Sequence, residues 1–106
     1  MPKYLIQASY SAEGLKGLQK DKASGRRTAV VSAMESLGGK LEALYYCFGE
    51  HDAMVIVDAP DNVAASALSM AISATGLIRT KTTPLLTVEE TDRALAKNIN
   101  YRGPGR

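Results

Sequence analysis

Apolar and polar residues alternate from the first residues of the chain. Tyr4, Ile6, Ala8 and Tyr10 fall on one side, and Lys3, Leu5, Gln7 and Ser9 on the other. That period of two predicts a strand over Lys3 to Tyr10. Ser11 to Gly14 breaks the alternation, and Ser11 is placed to cap a short helix carrying Leu15 and Leu18. Lys20 to Gly25 is polar and reads as irregular. From about Arg26 the apolar positions return at helical spacing, with Val30, Met34 and Leu37 backed by Ala33. Gly38-Gly39 closes that helix, because glycine accepts the left-handed conformation of a C-terminal stop.

Lys40 to Phe48 is rich in strand formers, and Ala53 to Asp58 is a more continuous apolar strand. Gly49 to Asp52 between them predicts a hairpin. In the first of these strands Leu41, Ala43, Tyr45 and Cys47 are expected on one face and Leu44, Tyr46 and Phe48 on the other. Pro60-Asp61-Asn62 opens another helix, capped by Asp61, with Ala64, Leu68, Ala71 and Ile72 as its stripe and Gly76 as its end. Leu77 to about Thr83 reads as a polar edge strand stopped by Pro84. Thr87 begins a last helix, with Glu89 and Glu90 in its first turn, where the helix dipole favours them. The order predicted is β-α-β-β-α-β and a helix: an α+β chain of the ferredoxin-like split βαβ type, with a four-stranded antiparallel sheet. Residues 1–97 form the expected domain, and 98–106, with two Gly and a Pro, a flexible tail.

Composition narrows the classes. At 106 residues, 45% apolar and 23% charged, the chain can order one core, which excludes disorder as its main state. The run without charge from Asn62 to Ile78 is mostly Ala, Ser and Thr and lacks the bulk of a membrane span. No charged-then-apolar leader opens the chain, and Cys47 is the single cysteine, so a reduced, cytoplasmic protein is expected. Set among aromatics, Cys47 reads as a small buried hydrophobe. The net charge of +2 is carried by Arg102 and Arg106 of the tail. Lys16, Lys20, Lys22, Arg26 and Arg27 form the densest basic run, broken by Asp21 and without aromatics, so it reads as a solvated helix face and not as a nucleic-acid surface. No P-loop, paired-cysteine metal motif or nucleophile elbow is present.

An ordered set of short motifs adds a family. It comprises Tyr4-Leu5-Ile6, Tyr10-Ser11-Ala12-Glu13-Gly14, Arg27 with Ala29, Gly38-Gly39, Tyr45-Tyr46, Phe48-Gly49-Glu50-His51-Asp52, Asp58-Ala59-Pro60-Asp61 and Lys81-Thr82-Thr83-Pro84-Leu85-Leu86. Together, from about residue 3 to residue 97, they resemble the GYD domain family, small bacterial proteins named for a Gly-Tyr-Asp motif. The resemblance implies a dimeric α/β-barrel, in which two ferredoxin-like sheets face each other, and it implies no established chemistry. Where the family motif usually has Tyr this chain has His51, so an imidazole takes the place of a phenol.

In a split βαβ sheet with strand order 4-1-3-2, the end of the first strand, the hairpin turn and the start of the fourth strand share one end. Tyr10, Glu13, His51, Asp52 and Arg79 are therefore expected together there, with Tyr46 further along the second strand. An imidazole, carboxylates and a guanidinium in one place suit binding of a polar or anionic small molecule, or proton transfer. Turn chemistry accounts for His51 and Asp52 equally simply, and Arg79 on an edge strand discourages edge pairing. His51 lacks a second His or any Cys partner, so no metal and no cofactor are expected. Three readings follow: a small-molecule-binding domain, a cofactor-free monooxygenase- or isomerase-like enzyme with His51 as acid or base, and a structural subunit. The second strand is apolar on both faces, so a homodimer or an assembly of dimers is expected, buried through the open face of the sheet.

Overall fold

The computed structural model describes all residues from Met1 to Arg106. In chain order the elements are β1 (Lys3–Tyr10), α1 (Ala12–Ser36), β2 (Lys40–Tyr46), β3 (Ala53–Asp58), α2 (Asn62–Ser73), β4 (Ile78–Leu85) and α3 (Val88–Leu95). The strands form one sheet in the order β2-β3-β1-β4, every neighbouring pair antiparallel. The chain is thus α+β, with a four-stranded antiparallel sheet and three helices. No helix is long and apolar enough to cross a membrane.

α1 and α2 lie on one face of the sheet and trap the core. Tyr4 and Ile6 of β1, Val55 and Val57 of β3, Met34 of α1 and Ala65 and Leu68 of α2 are buried together. Alternation along β1 and β3 explains this directly, since residues two apart share a face. Caps start each helix where the sequence places them. Ser11 Oγ accepts from the Gly14 N–H at 3.0 Å, Asp61 Oδ1 from Ala64 N–H at 2.9 Å, and Thr87 Oγ1 from Glu90 N–H at 3.0 Å.

Four sequence expectations need correction. The polar stretch from Lys20 to Gly25 is helical, and the interruption is one residue: Lys22, at φ 64° and ψ 166°, kinks α1. Polar composition weakens the helical pattern there without removing helix-forming residues. Simple alternation fails in β2 as well. A bulge between Leu41 and Ala43 puts Leu41 opposite Val57, and so on the helix-covered face with Leu44 and Tyr46. One extra residue reverses the facing of everything before it. β2 also ends at Tyr46, which leaves Cys47 and Phe48 in the turn, Phe48 almost wholly exposed. Finally, Pro84 does not stop β4 but lies inside it, paired with Tyr4. An edge strand accepts proline where its missing N–H would face away from the sheet.

The opposite face of the sheet carries no helix. Leu5 and Ile56 are half-buried at its centre, with Met54 at 39% and Tyr45 at 72% exposure beside them. At one end Lys3 forms ion pairs with Glu42 and, at 2.8 Å, with nearly buried Asp58, and these carboxylates hold its amine above the usual lysine range.

After α3, residues 98–106 form no helix or strand apart from a turn near Pro104. Deleting Tyr101–Arg106 is expected to change the melting temperature by no more than about 4 °C, because exposed substitutions shift stability within roughly half a kcal/mol. A larger fall in a calorimetric scan would show that this segment docks.

Candidate functional site

The end of the sheet where β1 finishes gathers the residues that sequence reasoning selects, but distributes them over two faces. Tyr10 pairs with Ile78 and Ser9 with Arg79 across β1 and β4, while Ala8 and Tyr46 both flank Ala53. Adjacent residues of a strand point to opposite sides. Tyr10 and Tyr46 therefore face the helices, whereas Ser9 and Arg79 face the open side.

Asp52 is committed to structure. Its carboxylate accepts from the Tyr10 N–H at 2.8 Å, its own N–H donates to the Ala8 carbonyl at 2.8 Å, and its carbonyl accepts from Cys47 N–H at 2.8 Å. These bonds fasten the hairpin turn to the end of β1. His51 sits on the open side, where Ser9 Oγ approaches its Nδ1 at 3.2 Å and the Glu50 carbonyl at 3.1 Å. A hydroxyl has one proton, so both bonds form when Ser9 donates to the carbonyl and accepts from Nδ1–H. That arrangement orients the imidazole and leaves Ser9 unactivated as a nucleophile. The outward Nε2 lies 3.9 Å from Glu50 Oε1. Cys47 Sγ donates to the His51 carbonyl at 3.2 Å, which further ties down the turn. Glu13 points to solvent beside Lys16, at 3.6 Å, and Arg79 is exposed. No cluster of three His, Cys, Asp or Glu side chains forms anywhere in the chain.

On the helix-covered side Tyr10 and Tyr46 meet a residue that composition alone places among solvated charges. Arg26 of α1 joins them at the mouth of a cleft below the kink. A wider chamber of about 270 Å³ lies between the first half of α1 and α2, reaching Gly14, Leu18 and Leu77. A deeper one of about 40 Å³, bounded by Ile6, Leu44 and Val55, has room for little more than a water molecule. Tyr10, Arg26, Leu68, Ile72 and Ile78 line both, so the two lie side by side. Arg26 is 29% exposed and is 3.9 Å from Asp21, across the Lys22 kink. Burial, followed by the neighbouring Tyr10 phenol, pushes the Tyr46 hydroxyl up to about 12, with Arg26 pulling the other way. Tyr46 is therefore a neutral hydrogen-bonding group throughout the physiological range, and Arg26 is the cleft's cation.

Arg26 has a signal in the sequence. It stands four residues before Val30 and eight before Met34, on the same helical stripe that points into the core. A larger groove of about 420 Å³ lies along α2 and β4, but most of its hydroxyls are already bonded and it holds no charge. Ser69 and Thr82 are 2.5 Å apart, Ser73 and Thr80 3.2 Å apart, and Tyr4 donates to Asn62 Oδ1 at 2.6 Å.

Fold and site together define a small α+β domain with an uncovered sheet face and, under its helices, a largely apolar cleft that holds Arg26 and Asp21. Residues 4–95 match the GYD domain, and the chain belongs to that family. No curated protein and no solved structure matches it.

Proposed function

We propose that this chain is a small-molecule-binding subunit of a cytoplasmic homo-oligomer, and that its ligand is a compact apolar molecule carrying an anionic group. The observation that carries this reading is the convergence of Arg26, Tyr10 and Tyr46 on a largely apolar cleft, whose one carboxylate, Asp21, lies 3.9 Å from Arg26. Such a cleft binds the body of a ligand by burial and orients it with a few polar groups. The guanidinium pairs with a carboxylate or a similar planar anion, and the phenols donate to it. In this reading the sheet is ferredoxin-like, since the order read from the β4 edge is 4-1-3-2. Two copies pair through their open faces as a dimeric α/β-barrel, burying Leu5, Met54, Ile56 and Tyr45. An uncovered apolar sheet centre supports that pairing. The lone Cys47 suits a reducing compartment. His51 and Arg79 then stand near the paired sheets and outside the cleft.

Benzoate, a small apolar anion, is a suitable probe. Titration followed by NMR shifts should place it at Tyr10, Leu18 and Leu68. Arg26→Ala is expected to weaken it about tenfold or more, the value of a hydrogen bond to a charged group, while Arg79→Ala leaves it unchanged. Equal affinity in wild type and Arg26→Ala, or loss in Arg79→Ala, would move the site to the open face.

A further inference from the structure

α2 contains no charged residue: from Asn62 to Ser73 it holds only Asn, Ser, Ala, Val, Leu, Met and Ile. A surface helix ordinarily turns a charged stripe to water, and one without such a stripe is ordinarily buried. The inner side of α2 meets that rule, since Ala65 and Leu68 are buried and Ile72 packs on the core. Its outer side does not. Val63 is 77% and Met70 66% exposed, Ala67, Ala71 and Ala74 are at least partly open to water, and a shallow groove of about 370 Å³ runs past Val63, Ser66, Ala67 and Met70.

α3 presents the complementary situation. Val88, Thr91 and Leu95 align on one side, at i, i+3 and i+7, with Asp92 at its edge, while Glu89 and Arg93 lie on the other. None of its residues is buried, and Val88 and Leu95 are 75% and 78% exposed. Leu86 before it and Ile99 after it are also bare. Eight residues fall below the roughly 12–15 at which an isolated helix becomes even marginal in water. The capping box of Thr87 and Glu90 secures the first turn only. A helix this short holds its shape by laying its apolar side on a surface.

We infer that α3 of one chain docks on the outer face of α2 in a second copy of the same chain. Val88 and Leu95 fit against Val63 and Met70, and Ser66 and Ala67 let the helices approach closely. The contact joins the uncharged side chains of the two helices, with Asp92 at its rim, and Glu89 and Arg93 stay solvated. Each chain carries one donor helix and one acceptor face, and a closed assembly matches every donor with an acceptor, which no foreign partner would do. α3 packs closely on no other element of its own chain. The radius of gyration, 16.8 Å, against about 13 Å for a compact domain of this length, fits a C-terminal segment, α3 and the residues after it, that stands off the body. The outer face of α2 and the open face of the sheet lie on opposite sides of the molecule, so this contact does not rest on the sheet pairing proposed above.

Cross-linking on the full chain tests the docking. With the photoreactive residue p-benzoylphenylalanine at position 95 and isotope-labelled and unlabelled chains co-refolded, mixed-label cross-links from the α3 peptide to the α2 peptide are expected. Cross-links confined to one chain, or landing on any element other than α2, would overturn the inference. Leu95→Asp and Met70→Asp should each reduce the assembly mass in sedimentation while leaving the circular dichroism of the body intact, and an unchanged mass would also overturn it. The cross-link should survive Ile56→Asp, which disturbs only the open sheet face, so that failure of sheet pairing and failure of α3 docking are told apart.

Discussion

Met34→Ala is expected to be among the most damaging single substitutions in the chain. Met34 has no exposed surface and joins α1 to the buried residues of β1, β3 and α2. Truncating a buried Met to Ala removes transfer energy and leaves a cavity, at a cost of about 2–5 kcal/mol. For a domain of this size that corresponds to a fall of about 10 °C or more in melting temperature. Met34→Leu, which keeps the volume, should cost less than about 1.5 kcal/mol. Thermal unfolding followed by circular dichroism would check both. A Met34→Ala protein melting within a few degrees of wild type would mean that α1 does not seal the core as described.

Gly14→Ala should be nearly as costly, by a different mechanism. A Cβ added at Gly14 would lie 2.2 Å from the Leu77 carbonyl oxygen, a backbone atom that cannot swing aside. The first turn of α1 would have to lift from the start of β4, where Ser11 donates to that same carbonyl through its N–H at 2.8 Å and its hydroxyl at 3.2 Å. Overpacking and the strained bonds together amount to roughly 2–4 kcal/mol. Gly14 also borders the cleft, so benzoate binding should weaken along with stability. At Gly17, one turn on, an added Cβ would meet nothing within 4 Å. Gly17→Ala should therefore stabilise by about 0.5–1 kcal/mol, the usual gain for removing glycine from a helix interior. Equal effects from the two glycines would refute the close approach of α1 to β4.

The cleft is partly legible in the sequence. Tyr10 and Tyr46 stand out there as candidate site residues, and both line it. Arg26 is visible as an i−4 neighbour of Val30, yet it stands in a run of basic residues whose composition speaks for solvent. His51, Asp52 and Arg79 do gather at the predicted end of the sheet, where Asp52 and His51 hold the hairpin turn to β1. Which face each occupies depends on strand register, and a single inserted residue, as at the β2 bulge, changes facing without changing the apolar character of the strand.

What the sequence determined by itself is local in origin. Alternation marked β1, a continuous apolar run marked β3, helical spacing marked the second half of α1, and Ser11, Asp61 and Thr87 announced three helix starts, because a capping oxygen bonds to an N–H only a few residues away. The tertiary structure decided the rest. It continued α1 through Lys20–Gly25, exposed throughout, with only Lys22 leaving the helical conformation. It kept Pro84 inside β4 because pairing with β1 leaves an edge free. It brought Arg26, Tyr10 and Tyr46 from three elements to one cleft, a juxtaposition set by how helices lie on a sheet and written in no single stretch of chain.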